Sequence, residues 1–241
     1  MPIPLYSIKD IYVSKEGDNK LTIKQFDIHR GACYVFEGQM GSGKTTFLDI
    51  LYNRRKVKGA EIQFEDKNIY KYSNHAYQDQ IAIVPQKFKA PWGTVKKFMT
   101  KKISKFSYIR NPKKRVDEIS KKMNISSLLN RKLKTLTPGE LRWVMLATMI
   151  GADSKVLFID EIEQHLGKKE QKNLLSILHR KINYDGVTLI ASTQNKEMLS
   201  KIASVTITLD NGRITSVRSA SNKRDYSKNK KNYKGNRKNK K

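Results

Sequence analysis

The sequence predicts an α/β fold in which helices flank a mixed β-sheet, with an antiparallel β subdomain and an inserted helical lobe. Apolar runs at 155–159 and 187–192 have the length and composition of buried strands, and a helix-forming segment separates them. Residues 3–13 and 21–28 alternate apolar and polar side chains, as half-exposed antiparallel strands do. Residues 94–134 are rich in helix formers, which predicts the helical lobe.

The first part of the chain is predicted to alternate strands, turns and one helix. Turn residues at 16–19 separate the two alternating strands, and a buried strand follows at 32–36. Apolar residues at helical spacing then predict a helix at 46–52. We expect further strands at 59–64 and at 80–86, the second of which ends in a Pro-Gln pair. These segments supply the first half of the predicted sheet.

The second part of the chain is predicted to complete the lobe and the sheet. Asn111 and Pro112 interrupt the lobe, because proline disfavours helical backbone at the residue before it. An apolar helix is expected at 141–150 and an amphipathic helix at 168–183. An Asn-Gly pair within 205–214 suits a type I′ turn, so this segment should form a hairpin.

Length and composition restrict the class of protein. The 241 residues, 38% of them hydrophobic, suffice for one large α/β domain, which we expect to span 1–220 with the lobe at about 94–150. No apolar run has the length of a membrane span, and no signal sequence is evident at the N-terminus. Cys33 is the only cysteine, so we expect neither an intrachain disulfide nor a cysteine-based metal site. These features predict a cytoplasmic protein.

The net charge of +27 is concentrated in two segments. Residues 96–134 carry net +12, and the Lys- and Asn-rich residues 221–241, which we expect to be a disordered tail, carry net +9. Both segments could lie against anionic lipid, where each Lys or Arg contributes about 1 kcal/mol. They could instead bind nucleic-acid phosphates, although the sequence contains no recognised nucleic-acid module. A solvated basic surface without a dedicated partner is the third alternative.

A glycine-rich motif lies between the strand at 32–36 and the helix at 46–52. The motif consists of Gly38, Gln39, Met40, Gly41, Ser42, Gly43, Lys44 and Thr45. This G-x-x-x-x-G-K-T pattern is a phosphate-binding loop, because its glycines let backbone N–H groups approach phosphate oxygens at a helix N-terminus. Lys44 would reach the β- and γ-phosphates, and Thr45 would hold Mg²⁺. A chance glycine-rich turn is the alternative, which the Lys-Thr pair and the flanking elements disfavour.

Two carboxylates, Asp160 and Glu161, follow the buried strand at 155–159. An aspartate at the end of such a strand can hold Mg²⁺ through water, close to Thr45. Glu161 is then placed to polarise a water for in-line attack on the γ-phosphorus. Acidic residues that merely end a strand are the alternative. The phosphate loop earlier in the chain favours the functional interpretation.

With both motifs in place, residues 3–218 resemble the nucleotide-binding domain of the ABC ATPase superfamily. Gln86 falls at the Q-loop, so the resemblance implies that it contacts Mg²⁺ and the attacking water. Gln194 falls at the position of the switch histidine, next to the γ-phosphate. The resemblance also implies that Thr46 contacts the nucleotide beside Lys44 and Thr45.

Residues 136–140, Leu-Thr-Pro-Gly-Glu, fall where the family has its LSGGQ signature. The resemblance implies that Thr137 and Gly139 face the γ-phosphate held by a second subunit. Two Mg-ATP would thus be enclosed in a head-to-tail homodimer or heterodimer.

Several residues depart from the family pattern. Pro138 replaces a signature glycine and removes one N–H donor, and Glu140 replaces the usual glutamine and adds negative charge. Gln194 replaces the histidine, so it can donate a hydrogen bond but cannot shuttle a proton at neutral pH. Gly167 takes the place of an aspartate, and Ile162 that of a proline. These departures predict an ATPase that is slow or depends on a partner.

The short lobe and the single nucleotide domain favour an ATP-binding subunit that drives a separate integral membrane subunit, as the family's transporters do. Residues 88–95 follow the Q-loop, where the family contacts its membrane partner. Trp92 would be an anchor there if it is exposed, or an ordinary packing residue of the lobe if it is buried. One alternative is a soluble ABC ATPase that acts on nucleic acid, ribosomes or a cofactor-assembly scaffold. Another is a slow nucleotide-gated subunit of an FtsE-type cell-division complex.

Overall fold

A computed structural model describes residues 3–14, 21–195 and 197–220. The predicted turn at 16–19 and the predicted disordered tail at 221–241 lie outside these ranges. The strands are β1 (Tyr6–Val13), β2 (Leu21–Ile28), β3 (Cys33–Glu37), β4 (Glu61–Phe64), β5 (Lys67–Asn68), β6 (Ile81–Val84), β7 (Val156–Ile159), β8 (Thr188–Thr193), β9 (Val205–Asp210) and β10 (Arg213–Ser219). The α-helices are α1 (Lys44–Leu51), α2 (Asn74–Gln78), α3 (Val95–Ile103), α4 (Pro112–Lys122), α5 (Pro138–Gly151) and α6 (Lys168–Asn183). Short 3₁₀ turns occur at Ile69–Lys71, Ser126–Leu128 and Leu133–Thr135.

The strands of the described residues form one mixed sheet in the order β5-β4-β1-β2-β10-β9-β3-β8-β7-β6. Strands β6, β7, β8, β3 and β9 are parallel neighbours, whereas β1 pairs antiparallel with β2 and β4. This arrangement confirms the predicted α/β class with an antiparallel part. The sequence did not indicate how the two parts join: β10 pairs with β2 through Arg213 and Thr22, so the antiparallel part continues the main sheet.

The central strands are buried on both faces, which explains their uninterrupted apolar sequences. Along β3, Cys33 and Val35 belong to one hydrophobic cluster, while Tyr34 and Phe36 belong to another. The first cluster includes the apolar faces of α5 and α6, and the second includes the buried face of α1. Successive strand residues point to opposite faces, so helices on both sides cover the sheet.

Helices α3, α4 and α5 pack on one another and form the helical lobe. The predicted interruption at Asn111 is confirmed, because its side chain accepts the N–H of Lys114 at 3.0 Å and Pro112 begins α4. The predicted hairpin is also confirmed. Asn211 and Gly212 join β9 to β10 with positive φ at both residues.

No helix in the described ranges is both long enough and apolar enough to cross a membrane.

The parallel strands bring four segments to one edge of the sheet. These segments follow β3, β6, β7 and β8, and they carry Gly38, Gln86, Asp160 and Gln194.

Candidate functional site

The glycine-rich loop lies between β3 and α1, as the sequence predicts. Gly41 and Gly43 have φ of 85° and 103°, a backbone conformation that residues with a side chain rarely adopt. A Cβ on Gly38 would lie 2.3 Å from the carbonyl oxygen of Leu209 on β9. No side chain caps the N-terminus of α1, so its first-turn N–H groups can face a phosphate. The loop therefore has the geometry of an anion cradle.

Lys44 lies inside this cradle and is only 5% exposed. Its ammonium group donates to the carbonyl oxygens of Gly38 and Gln39 at 2.6 and 2.8 Å. Burial lowers the pKa of Lys44, and the nearby carboxylates of Glu161 and Asp160 partly oppose that shift. The two main-chain carbonyls are thus the partners of the Lys44 ammonium in this structure. A phosphate group bound in the loop would give the ammonium an anionic partner.

Thr45 and Asp160 connect the two predicted motifs. The Thr45 hydroxyl donates to Asp160 Oδ2 at 2.9 Å, although 115 residues separate them in the chain. The other carboxylate oxygen of Asp160 accepts from the Ser192 hydroxyl at 2.5 Å, and the same hydroxyl accepts the backbone N–H of Glu161 at 2.8 Å. Asp160 is almost fully buried. One hydroxyl and one carboxylate side by side are the oxygen ligands that Mg²⁺ takes in nucleotide sites, so the residues fit this ion.

Glu161 and Gln194 meet at the edge of the sheet. Gln194 Nε2 donates to Glu161 Oε1 at 2.7 Å, and Glu163 Oε1 accepts the backbone N–H of Gln194 at 2.7 Å. Glu161 also has a positive φ of 45°, which turns the chain sharply after the strand. The carboxylate that we expect to act as the base is therefore held by the residue at the switch position.

Removal of this amide should slow turnover. We expect Gln194→Ala to lower the rate of ATP hydrolysis by roughly 10- to 100-fold, because a hydrogen bond to a charged group contributes about 1.5–3 kcal/mol. Steady-state phosphate release measures the rate. Asn195→Ala is the matched control, since the Asn195 side chain accepts the N–H of Glu197 and not a site residue. Equal rates for Gln194→Ala and the natural protein would exclude an orienting role for the amide.

Gln86 follows β6, which is parallel to β7. Val84 at the end of β6 pairs with Ile159 at the end of β7, and Asp160 and Glu161 follow Ile159 directly. Gln86 is half-buried and lies at the same edge of the sheet as the two carboxylates. Thr46 lies in the first turn of α1 and is also half-buried.

The signature region belongs to the helical lobe. Thr137 is the N-cap of α5, where its hydroxyl accepts the Glu140 N–H at 3.2 Å, and the Glu140 carboxylate accepts the Thr137 N–H at 2.8 Å. A Cβ on Gly139 would lie 3.0 Å from the carbonyl of His165. Pro138 occupies the first helical position, where its fixed φ suits the helix. These contacts fix the start of α5 within the lobe.

Sequence reasoning missed Arg142, which is 5% exposed in the middle of the site. Its guanidinium donates to the carbonyl oxygens of Pro85, Asp160 and Glu161 at 2.6, 2.6 and 2.9 Å. Burial lowers the pKa of Arg142 to about 10, and the nearby carboxylates partly oppose that shift. One arginine inside an otherwise apolar helix was the signal that could have indicated a buried role.

Comparisons with known proteins agree with this geometry. The family model described as ABC transporter matches residues 21–164. The chain is similar to the ribose import ATP-binding protein RbsA of Bacillus licheniformis, with 22% identity over 219 residues, which are 88% of this chain and 44% of that protein. It is also similar to the cell division ATP-binding protein FtsE of Streptococcus pneumoniae, with 25% identity over 213 residues, which are 84% and 91% of the two chains.

The chain spans less than half the length of RbsA and of the galactose/methyl galactoside import protein MglA of Clostridium perfringens, of which 44% and 42% are covered. Among solved structures, an ATP-binding subunit of an ABC transporter superimposes with a TM-score of 0.79 at 16% identity, covering 89% of this chain and 90% of the other. This likeness confirms the fold.

Proposed function

The chain belongs to the ABC transporter family and is an ATPase domain of that family, and we propose that it is the motor subunit of a membrane complex. In this proposal it binds Mg-ATP, closes head-to-tail with a second ATP-binding subunit and opens after hydrolysis. Both a homodimer and a heterodimer are compatible with the proposal. The observation that carries it is the 2.9 Å hydrogen bond from Thr45 to Asp160, which brings the two nucleotide motifs together.

The phosphate loop binds the nucleotide in this proposal. Backbone N–H groups of residues 38–46 and the Lys44 ammonium hold the phosphates of ATP. Thr45, Asp160 and Gln86 would hold Mg²⁺, which when bound neutralises charge on the β- and γ-phosphates. Because Asp160 already has its carboxylate aligned by Ser192, little rearrangement is needed to hold the ion.

Glu161 acts in this proposal as the general base for an attacking water. Gln194 orients its carboxylate, and the Glu161 N–H bond to Ser192 fixes the main chain beneath it. Thr137 and Gly139 would contribute from the second subunit, where the Thr137 hydroxyl can still donate its proton while accepting from Glu140. An amide in place of an imidazole, together with Gly167 and the buried Ile162, supports slow or partner-dependent turnover.

Two surface features support a membrane partner. Trp92 is 86% exposed, with the Lys134 ammonium 3.2 Å from its ring centre, so the alternative of ordinary packing inside the lobe is wrong. Arg54, Lys102 and Lys105 line one groove beside α3, where burial and the other two cations lower the pKa of Lys102. An acidic protein segment or anionic lipid would relieve the repulsion among these three cations. We therefore propose a peripheral location on the inner face of the plasma membrane.

Co-purification from detergent-solubilised native membranes tests the membrane role. We expect the full chain to recover a multi-span membrane protein, and the ATPase rate of the recovered complex to exceed that of the isolated chain. A Glu161→Gln complex should assemble equally but show no stimulated turnover. Recovery of RNA, ribosomes or a soluble scaffold in place of a membrane protein would contradict the proposal. That result would favour the soluble ABC ATPase that the basic segments also permit.

A further inference from the structure

The carboxylate of Glu140 presents a problem for the proposed function. Glu140 lies next to Thr137 and Gly139, the residues that would face an ATP γ-phosphate on a second subunit. An uncompensated negative charge at this position would repel the phosphate. The structure contains a compensating charge: Arg131 Nη1 lies 2.7 Å from Glu140 Oε1.

Arg131 holds both ends of the loop that leads into α5. Its Nη2 donates to the carbonyl oxygen of Thr135 at 2.9 Å, while Nη1 binds Glu140. The second oxygen of Glu140 accepts the backbone N–H of Thr137 at 2.8 Å. The planar guanidinium thus bridges the loop, as a rigid two-pronged donor can and a lysine ammonium does not.

The main chain of Arg131 is anchored to the start of α3. Its carbonyl accepts the Val95 N–H at 3.0 Å, and the Gly93 carbonyl accepts the Leu133 N–H at 3.0 Å. Both contacts lie next to the exposed Trp92. The main chain of Arg131 is therefore held by the start of α3, and its guanidinium projects from there toward residues 135–140.

We propose that Arg131 is a positioning residue whose charge neutralises Glu140, so that residues 135–140 can accept the γ-phosphate of a second subunit. This inference rests on the proposed head-to-tail dimer. The same pair explains how the chain tolerates glutamate in place of glutamine in its signature. Both side chains are partly exposed, 42% and 30%, so the ion pair adds little to the stability of the fold, and its loss should leave the fold intact.

Three variants of the full chain test the role: Arg131→Ala, Glu140→Gln and the double variant. Arg131→Ala should raise the ATP concentration for half-maximal turnover by about tenfold, because it exposes the Glu140 charge. The double variant should return to within about threefold of Glu140→Gln alone, because no carboxylate remains to be neutralised. Arg110→Ala is the matched control, since it removes an exposed arginine of the lobe outside this loop.

A double variant that is as impaired as Arg131→Ala would overturn the inference, and so would an unchanged Arg131→Ala protein. Thermal unfolding of each variant shows whether a change in turnover comes from loss of folding. ATP-dependent dimerisation of the Glu161→Gln protein distinguishes the two proposals. If that protein stays monomeric, both proposals fail. If it dimerises, and Arg131→Ala added to it leaves the ATP dependence unchanged, only the role of Arg131 fails.

Discussion

Glu161→Gln is expected to abolish ATP turnover and to leave ATP binding intact. The substitution keeps the shape of the side chain and its contact with Gln194, but it removes the basic carboxylate that would take a proton from the attacking water. Loss of a positioned general base lowers rates by about 10²- to 10⁴-fold. Phosphate release under steady-state conditions measures the rate, and equilibrium titration with ATP measures the affinity.

Glu163→Gln is the matched control for this experiment. Its Oε1 accepts backbone N–H groups of Gln194 and Asn195, and an amide oxygen can still accept them. We expect its turnover to fall by less than about tenfold. If Glu161→Gln keeps more than a tenth of the natural rate, or if Glu163→Gln is the more damaged variant, Glu161 is not the base.

Arg142→Met is expected to cost the largest amount of stability. Its guanidinium joins α5 of the lobe to main-chain carbonyls after β6 and β7, and Asp160 and Glu161 lie close to it. The substitution removes the side-chain donor from the Pro85 and Asp160 carbonyls, and it removes the cation that compensates the carboxylates. Removing one partner of a buried charged pair while the other partner remains costs about 3–5 kcal/mol. Urea unfolding at equilibrium measures the change in the free energy of unfolding.

Arg142→Lys should recover only part of this loss, because an ammonium cannot span three carbonyls in one plane. Arg131→Ala serves as the comparison for an exposed arginine, and we expect it to change the free energy of unfolding by less than about 1 kcal/mol. An Arg142→Met protein as stable as the natural chain would mean that water or a rearranged side chain satisfies the carbonyls. The inferred connection between the lobe and the site would then be wrong.

Local patterns in the sequence account for much of the fold. The phosphate loop, the buried strands and the hairpin turn at Asn211 depend on neighbours within a few residues, so glycine positions and apolar periods were sufficient to predict them. Cys33 was predicted in a buried strand, and β3 places it there. Asn111 was predicted to break the lobe and is the N-cap of α4.

Contacts between distant segments account for what the sequence did not indicate. Ser192 aligns Asp160 and Glu161 from a strand about thirty residues later, and nothing local distinguishes it from other strand serines. From the sequence, Glu140 was interpreted as added negative charge near a phosphate. Its partner Arg131 was not predicted, because no helical or strand period relates the two residues. Arg142 likewise acts on residues of two other segments. Such pairs become visible only when the lobe is packed on the sheet.

ATP-dependent dimerisation of the Glu161→Gln protein shows whether two copies of the chain enclose nucleotide between them. Light scattering after gel filtration gives the molar mass with and without Mg-ATP. We expect a monomer without nucleotide and a dimer that retains about two ATP when the nucleotide is present, because hydrolysis can no longer open it. A protein that binds ATP and remains monomeric in Mg-ATP would contradict the head-to-tail arrangement. A protein that binds no ATP would contradict the nucleotide site itself.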